Sequence, residues 1–207
     1  MTAPAAPRLA FWHEFASTYS YLSAMRIEGL CREAGVAVIW RPFLLGPIFK
    51  AQGWDTSPFN LFPAKGRHMW RDLERRAMRL GLPAVARPEP FPQNGLLAAR
   101  LMTIGAAESW GPAFARAVYS AQFGEGRSID SPSGLAALLD ALGEPGAALV
   151  ERAQRDAEVK ARLRLATEEA RDAGLFGAPS FLTEDGEMFW GDDRLEDAID
   201  WAQGRRA

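Results

Sequence analysis

Four stretches of this chain place residue types at spacings that suit chemistry on a sulfur or an anion. The first is Phe15-Ala16-Ser17-Thr18-Tyr19-Ser20-Tyr21-Leu22, where two hydroxyls stand three apart at a strand-to-helix junction. A hydroxyl beside the free N–H groups of a helix start can receive an anion. Ser17 there either stabilises a thiolate brought by a cofactor or simply caps the helix. The second, Phe176-Gly177-Ala178-Pro179-Ser180-Phe181, has a proline opening a strand behind a small residue. The third is Phe189-Trp190-Gly191-Asp192-Asp193-Arg194-Leu195. Asp192 or Asp193 is either a helix cap or a carboxylate able to hold the α-ammonium of a glutamyl group. The fourth runs from Ala64 to Arg76 and is basic at its start. Most such charges form a solvated face, but Lys65 sits on a proline-rich helix entry that a substrate carboxylate can reach.

Composition removes several other chemistries. The 207 residues carry 24 Lys and Arg against 26 Asp and Glu, a net charge of −2. That balance offers no footprint for nucleic acid or an anionic membrane. The single cysteine, Cys31, cannot form an intrachain disulfide, and only His13 and His68 add imidazoles, so no metal site is expected. Cys31 reads as a small buried hydrophobe, His13 as satisfied within a sheet, and His68 as a surface residue. No apolar run approaches a membrane span of roughly 18 residues. The start, MTAPAAPRLAFW, does not read as a signal peptide, so a cytoplasmic location is expected.

These residues must be positioned by recognisable elements. Leu9 to Phe15 reads as a strand, Ser17 to Ala34 as one helix ended by Gly35, and Val36 to Arg41 as a second strand closed by Pro42. From Leu44 to Gly174 the pattern is helix and loop. Strand character returns at Ser180–Thr183 and Met188–Trp190 around an Asp-Gly turn, followed by a final helix, Arg194–Ala202. A βαβ start and a ββα end are the two halves of a thioredoxin fold. The fold class is therefore α/β, thioredoxin-like, with a large all-helical insertion. The expected division is 8–43 with 174–207 as the thioredoxin-like domain and 44–173 as the insert. In that fold Pro179 falls where a cis-proline turns the preceding backbone toward the site. The turn that holds Cys-x-x-Cys in redox relatives reads Ser17-x-x-Ser20, which excludes dithiol cycling.

Taken together, the runs Phe15–Leu22, Arg41–Gly46 with Ile48-Phe49-Lys50, Lys65–Arg75, Gly174–Pro179 and Trp190–Leu195 resemble the 2-hydroxychromene-2-carboxylate isomerases. These are DsbA-like proteins related to kappa-class glutathione transferases. The resemblance covers essentially the whole chain after the leader and implies glutathione as cofactor. It also implies a small aromatic carboxylate substrate in aromatic degradation, a hemiketal that opens to a trans-benzylidenepyruvate-type form. By the same resemblance Ser17 holds the glutathione sulfur and Ala178, before Pro179, pairs with its cysteinyl part. Asp193 and Arg194 contact its glutamyl end, and Lys65 lies near the site. Thr18 and Thr56 stand where relatives carry a proline and a glutathione-contacting asparagine. A homodimer is a further expectation of this kind. The rivals are a kappa-like transferase or peroxidase and a non-catalytic thioredoxin-fold binding module. Trp12, Trp40 and Trp190 flank the expected site, as an aromatic wall or as core, while Trp70 and Trp110 read as packing.

Overall fold

In the computed structural model, which describes residues 6–205, strand β1 (Arg8–His13) lies at the centre of a four-stranded sheet ordered β2-β1-β3-β4. Its partner β2 (Ala37–Pro42) is parallel, with Phe11 opposite Trp40. β3 (Ser180–Thr183) runs antiparallel to β1, with Phe11 opposite Phe181, and β4 (Met188–Trp190) closes the edge as a hairpin. Residues 1–5 and 206–207, which include part of the leader and the end of the expected 174–207 segment, lie outside the described residues.

Two helices connect β1 to β2: α1 (Thr18–Ala24) and α2 (Ile27–Ala34). The single helix expected over this stretch is thus two. The chain breaks at Arg26, which leaves helical geometry at φ −128° while its guanidinium reaches Asp192. Between β2 and β3 come α3 (Leu45–Ala51), α4 (Pro58–Leu61), α5 (Pro63–Arg79), α6 (Leu96–Glu108), α7 (Gly111–Tyr119), α8 (Pro132–Ala141), α9 (Gly146–Arg155) and α10 (Ala157–Asp172). A π-helical turn, Ser120–Gly124, extends α7. A 3-10 turn, Asp192–Arg194, leads into α11 (Leu195–Ala202). The short α3 and α4 were not legible, because their prolines and the Gly53 turn mask any period.

Alternation along β1 explains how the sheet is covered. Leu9, Phe11 and His13 point one way, into a large core with Phe15, Tyr21, Leu22, Phe114 and Tyr119. Ala10 and Trp12 point the other way, against Phe43 and Ile48 and against Ala170 of α10. Helices on both faces leave the C-terminal ends of β1 and β2 as the site where loops gather. Trp12 and Trp40 are therefore core residues, 4% and 6% exposed, and form no aromatic wall. No helix among the described residues is long and apolar enough to cross a membrane.

Candidate active site

A cavity of about 1070 Å³ opens beside the end of β1 and is bounded by α1, α3, α4, α5 and the 3-10 turn. Its volume lies just above the usual range of ligand pockets, roughly 300–1,000 Å³. That is room for a peptide-sized cofactor and a second small molecule. Ser17, Thr18, Thr56, Lys65, Ala178, Asp193 and Arg194 all line it; Pro179 does not. The Ala178–Pro179 bond is cis, as the proline's place in the fold implied.

Ser17 is the N-cap of α1, with its side chain accepting from the Ser20 N–H at 3.1 Å. Its own hydroxyl proton goes to the Ala178 carbonyl at 2.8 Å. Ser17 is therefore the helix cap, one of the two alternatives open in the sequence, and it also lines the cavity. Thr18 differs, because its buried hydroxyl is spent on the Met69 sulfur at 3.0 Å. Only its backbone remains to meet a ligand. Thr56 accepts from the Asn60 amide at 3.2 Å, and Asn60 also bonds the Phe91 carbonyl. Lys65, near the start of α5, lies 4.6 Å over the Phe62 ring. Among the described residues it has no acidic partner, so its charge is free for a carboxylate.

The two aspartates of the third stretch have separate roles. Asp192 is 1% exposed and bonds Ser23 Oγ at 2.8 Å, Arg26 at 3.1 Å and Arg76. It is a structural clamp between α1, α2 and α5. Asp193 and Arg194 are half exposed and form a 3.3 Å pair on the cavity rim, with Arg194 also reaching Asp197. The exposed Trp190 stacks edge-on with Phe176 at 4.9 Å beside them. Gly177 leaves room for this pair, since a side-chain carbon would stand 2.3 Å from the Trp190 indole nitrogen and the indole would have to shift.

Several lining residues escaped sequence reasoning. Trp54, Phe59, Asn94 and Glu14 belong to the cavity through tertiary packing, with no local motif, while Asp72 and Arg76 of the fourth stretch reach it from α5. Glu14 matters most. Its carboxylate accepts from the Ala16 N–H at 3.0 Å, and its main-chain oxygen accepts from Ser17 N–H and the Tyr119 hydroxyl. Burial pushes its pKa up to about 8, with the Ala16 bond opposing the shift. The neighbouring His13 is pushed down to about 3 by burial. Tyr119 gives its proton to the Glu14 carbonyl, so the 3.1 Å contact with His13 is a donation from imidazole Nδ1–H. His13 Nε2 has no partner among the described residues, so the sheet does not fully satisfy this imidazole.

These two groups shape the pH dependence of stability in opposite senses. Glu14 binds its proton more tightly when folded, so its contribution falls as pH rises from about 4.5 to about 8. His13 resists protonation when folded, so stability falls as pH drops from 6.5 toward 3. Glu14→Gln is expected to remove the alkaline fall, gaining on the order of 3 kcal/mol at pH 8 and little at pH 5. Urea unfolding at both pH values checks this; an equal change at the two would contradict it.

The chain's one thiol is remote from this chemistry. Cys31 is 1% exposed within the large core, and burial raises its pKa to about 11. Among the described residues no cluster of three His, Cys, Asp or Glu is placed to hold a metal.

Comparison with known proteins agrees with this architecture. A family model described as a DSBA-like thioredoxin domain matches residues 8–200. A 2-hydroxychromene-2-carboxylate isomerase of Pseudomonas putida is 30% identical over 190 residues, 89% of each chain. A glutathione S-transferase kappa 1 of Caenorhabditis elegans is 25% identical, over 97% of this chain and 92% of that one. The solved structure of a 2-hydroxychromene-2-carboxylate isomerase superposes with a TM-score of 0.83 at 28% identity. That match covers 96% of this chain and 95% of the other.

Proposed function

The chain belongs to the DsbA-like thioredoxin family and, within it, groups with the 2-hydroxychromene-2-carboxylate isomerases; from that premise we propose that it is a glutathione-dependent isomerase. Its substrates are a 2-hydroxychromene-2-carboxylate-type hemiketal and the trans-o-hydroxybenzylidenepyruvate-type open form. The observation that carries the reading is Ser17. It stands with its oxygen on a large cavity at the place of a redox cysteine, while the chain's own thiol is buried and held protonated.

The residues present suit glutathione. A zwitterionic glutamyl end meets a matched pair in Asp193 and Arg194. Ala178 offers main-chain groups to the cysteinyl unit, and Ser17 lies one hydrogen bond away. Bound glutathione would supply a thiolate nucleophile for reversible conjugate addition to the ring-opened enone, whose alkene electron pair passes to the carbonyl as an enolate, leaving a rotatable single bond until the thiolate is expelled and the double bond returns. The task of the protein is to keep that sulfur ionised and to aim the substrate at it. Ser17 does the first by turning its proton from the neutral Ala178 carbonyl to an anionic sulfur, since a charged acceptor makes the stronger bond. Lys65 does the second, as the uncommitted cation on the cavity wall. Leu44, Phe49, Trp54 and Phe59 give an aromatic ring an apolar seat. Glu14 is mostly protonated at neutral pH and adds little negative charge near the sulfur.

Equilibration of the two substrate forms, followed by ultraviolet absorbance with and without reduced glutathione, tests the activity. Lys65→Gln is expected to raise KM about tenfold with kcat nearly unchanged, the loss of a charged contact made equally in ground and transition states. An unchanged KM would remove Lys65 from substrate binding. The Caenorhabditis elegans relative favours a second reading, conjugation or peroxide reduction by the same thiol. Accumulation of a covalent glutathione adduct, or of glutathione disulfide, would identify it.

A further inference from the structure

A second cavity, about 320 Å³, lies behind the first, between α3, the start of α6 and the length of α10. Leu44, Pro47 and Leu96 line both cavities, so they form a shared wall. The second has a different character. Its floor is apolar, with Ile48 and Leu163 buried in it. Four cations, Arg100, Lys160, Arg164 and Arg171, surround that floor, against one acid, Glu168. Arg171 is taken by Asp172 at 2.8 Å, and Arg164 lies 3.9 Å from Glu168. Among the described residues Arg100 and Lys160 have no hydrogen-bond or ion-pair partner. Arg100 is half-buried with its guanidinium still reached by solvent, so its charge is open to an incoming acceptor.

We propose that this cavity is a binding site for a small amphipathic organic anion, an aromatic carboxylate, whose ring lies on Ile48 and Leu163 and whose carboxylate bridges Arg100 and Lys160. Charge and shape select the class. Inorganic phosphate would satisfy the cations and leave the apolar floor wet, and a neutral aromatic would leave Arg100 unpaired. The planar fork of Arg100 suits a carboxylate, with Lys160 adding a point charge. The volume fits one ring system and excludes a peptide or a nucleotide. This site does not depend on the glutathione reading, since it shares no polar residue with the first cavity.

Calorimetric titration of the full chain with 1-naphthoate tests it, with 1-naphthamide and inorganic phosphate as controls. The wild type is expected to bind naphthoate, and Arg100→Gln/Lys160→Gln to lose at least about tenfold in affinity for this site. Lys65→Gln, in the first cavity, is expected to leave this binding unchanged. Both controls are expected to bind at least about tenfold more weakly than naphthoate. Equal thermal melting of the double variant and wild type establishes that the loss is local. Naphthoate binding that is undiminished by the double variant once Lys65→Gln has removed uptake by the first cavity, or that Lys65→Gln alone abolishes, would overturn the site. Phosphate binding as tightly as naphthoate would overturn the ligand class.

Discussion

Asp192→Ala is expected to cost about 3 kcal/mol of stability, the lower end of what breaking a buried ion pair costs. The carboxylate is fully buried and serves three partners at once, Ser23, Arg26 and Arg76. Removing it strands Arg76, whose side chain is 28% exposed, and leaves Arg26, 16% exposed, with only Glu196 as a charged partner. Those cations recover some water, which is why the lower end applies. The effect reaches function, because Arg76 and Asp192 both line the main cavity and join α5 to the turn carrying Asp193. Urea unfolding of the variant checks the figure. A loss below about 1 kcal/mol would mean that the clamp is as weak as an exposed pair. Asp192→Asn keeps the shape and the Ser23 contact, and is expected to recover part of the loss.

The second large effect concerns chemistry. Ser17→Ala is expected to lower kcat/KM about 10²-fold, the usual result of deleting one donor aimed at a reacting anion. Stability is expected to fall by only about 1 kcal/mol, because the Ser20 N–H loses its cap. The contrast separates the two roles the residue holds. A variant equally active but less stable would leave Ser17 as a cap alone. Ser17→Thr retains a hydroxyl and is expected to keep more activity than alanine.

What could be read from the residues was local. The strand–helix junction, the Ala178–Pro179 turn and the Asp-Gly hairpin each carry their geometry in a few neighbours, and the βαβ and ββα halves follow from those. The position of Ser17 on the cavity belongs to the same class, since the end of β1 places it there. What escaped depends on distant partners. Asp192 and Asp193 are adjacent and chemically alike, and only packing against Arg26 and Arg76 buries one and leaves the other on the rim. Trp12 and Trp40 were open to both readings, because nothing in a short strand states which face a helix covers. Glu14 has no motif at all: burial raises its pKa, and Gly95, distant along the chain, packs so near that a side-chain carbon there would stand 3.2 Å from the Glu14 carboxylate. The second cavity is likewise assembled from α3, α6 and α10, whose cations look in sequence like ordinary solvated charges.

The decisive measurement is a titration of the purified protein with reduced glutathione, following heat and the ultraviolet absorbance of the thiolate together, in wild type and Ser17→Ala. Saturable binding with thiolate absorbance in the wild type, and binding without that absorbance in the variant, is the predicted result. No binding at millimolar glutathione, or the same thiolate signal in both proteins, would contradict a thiolate held by Ser17.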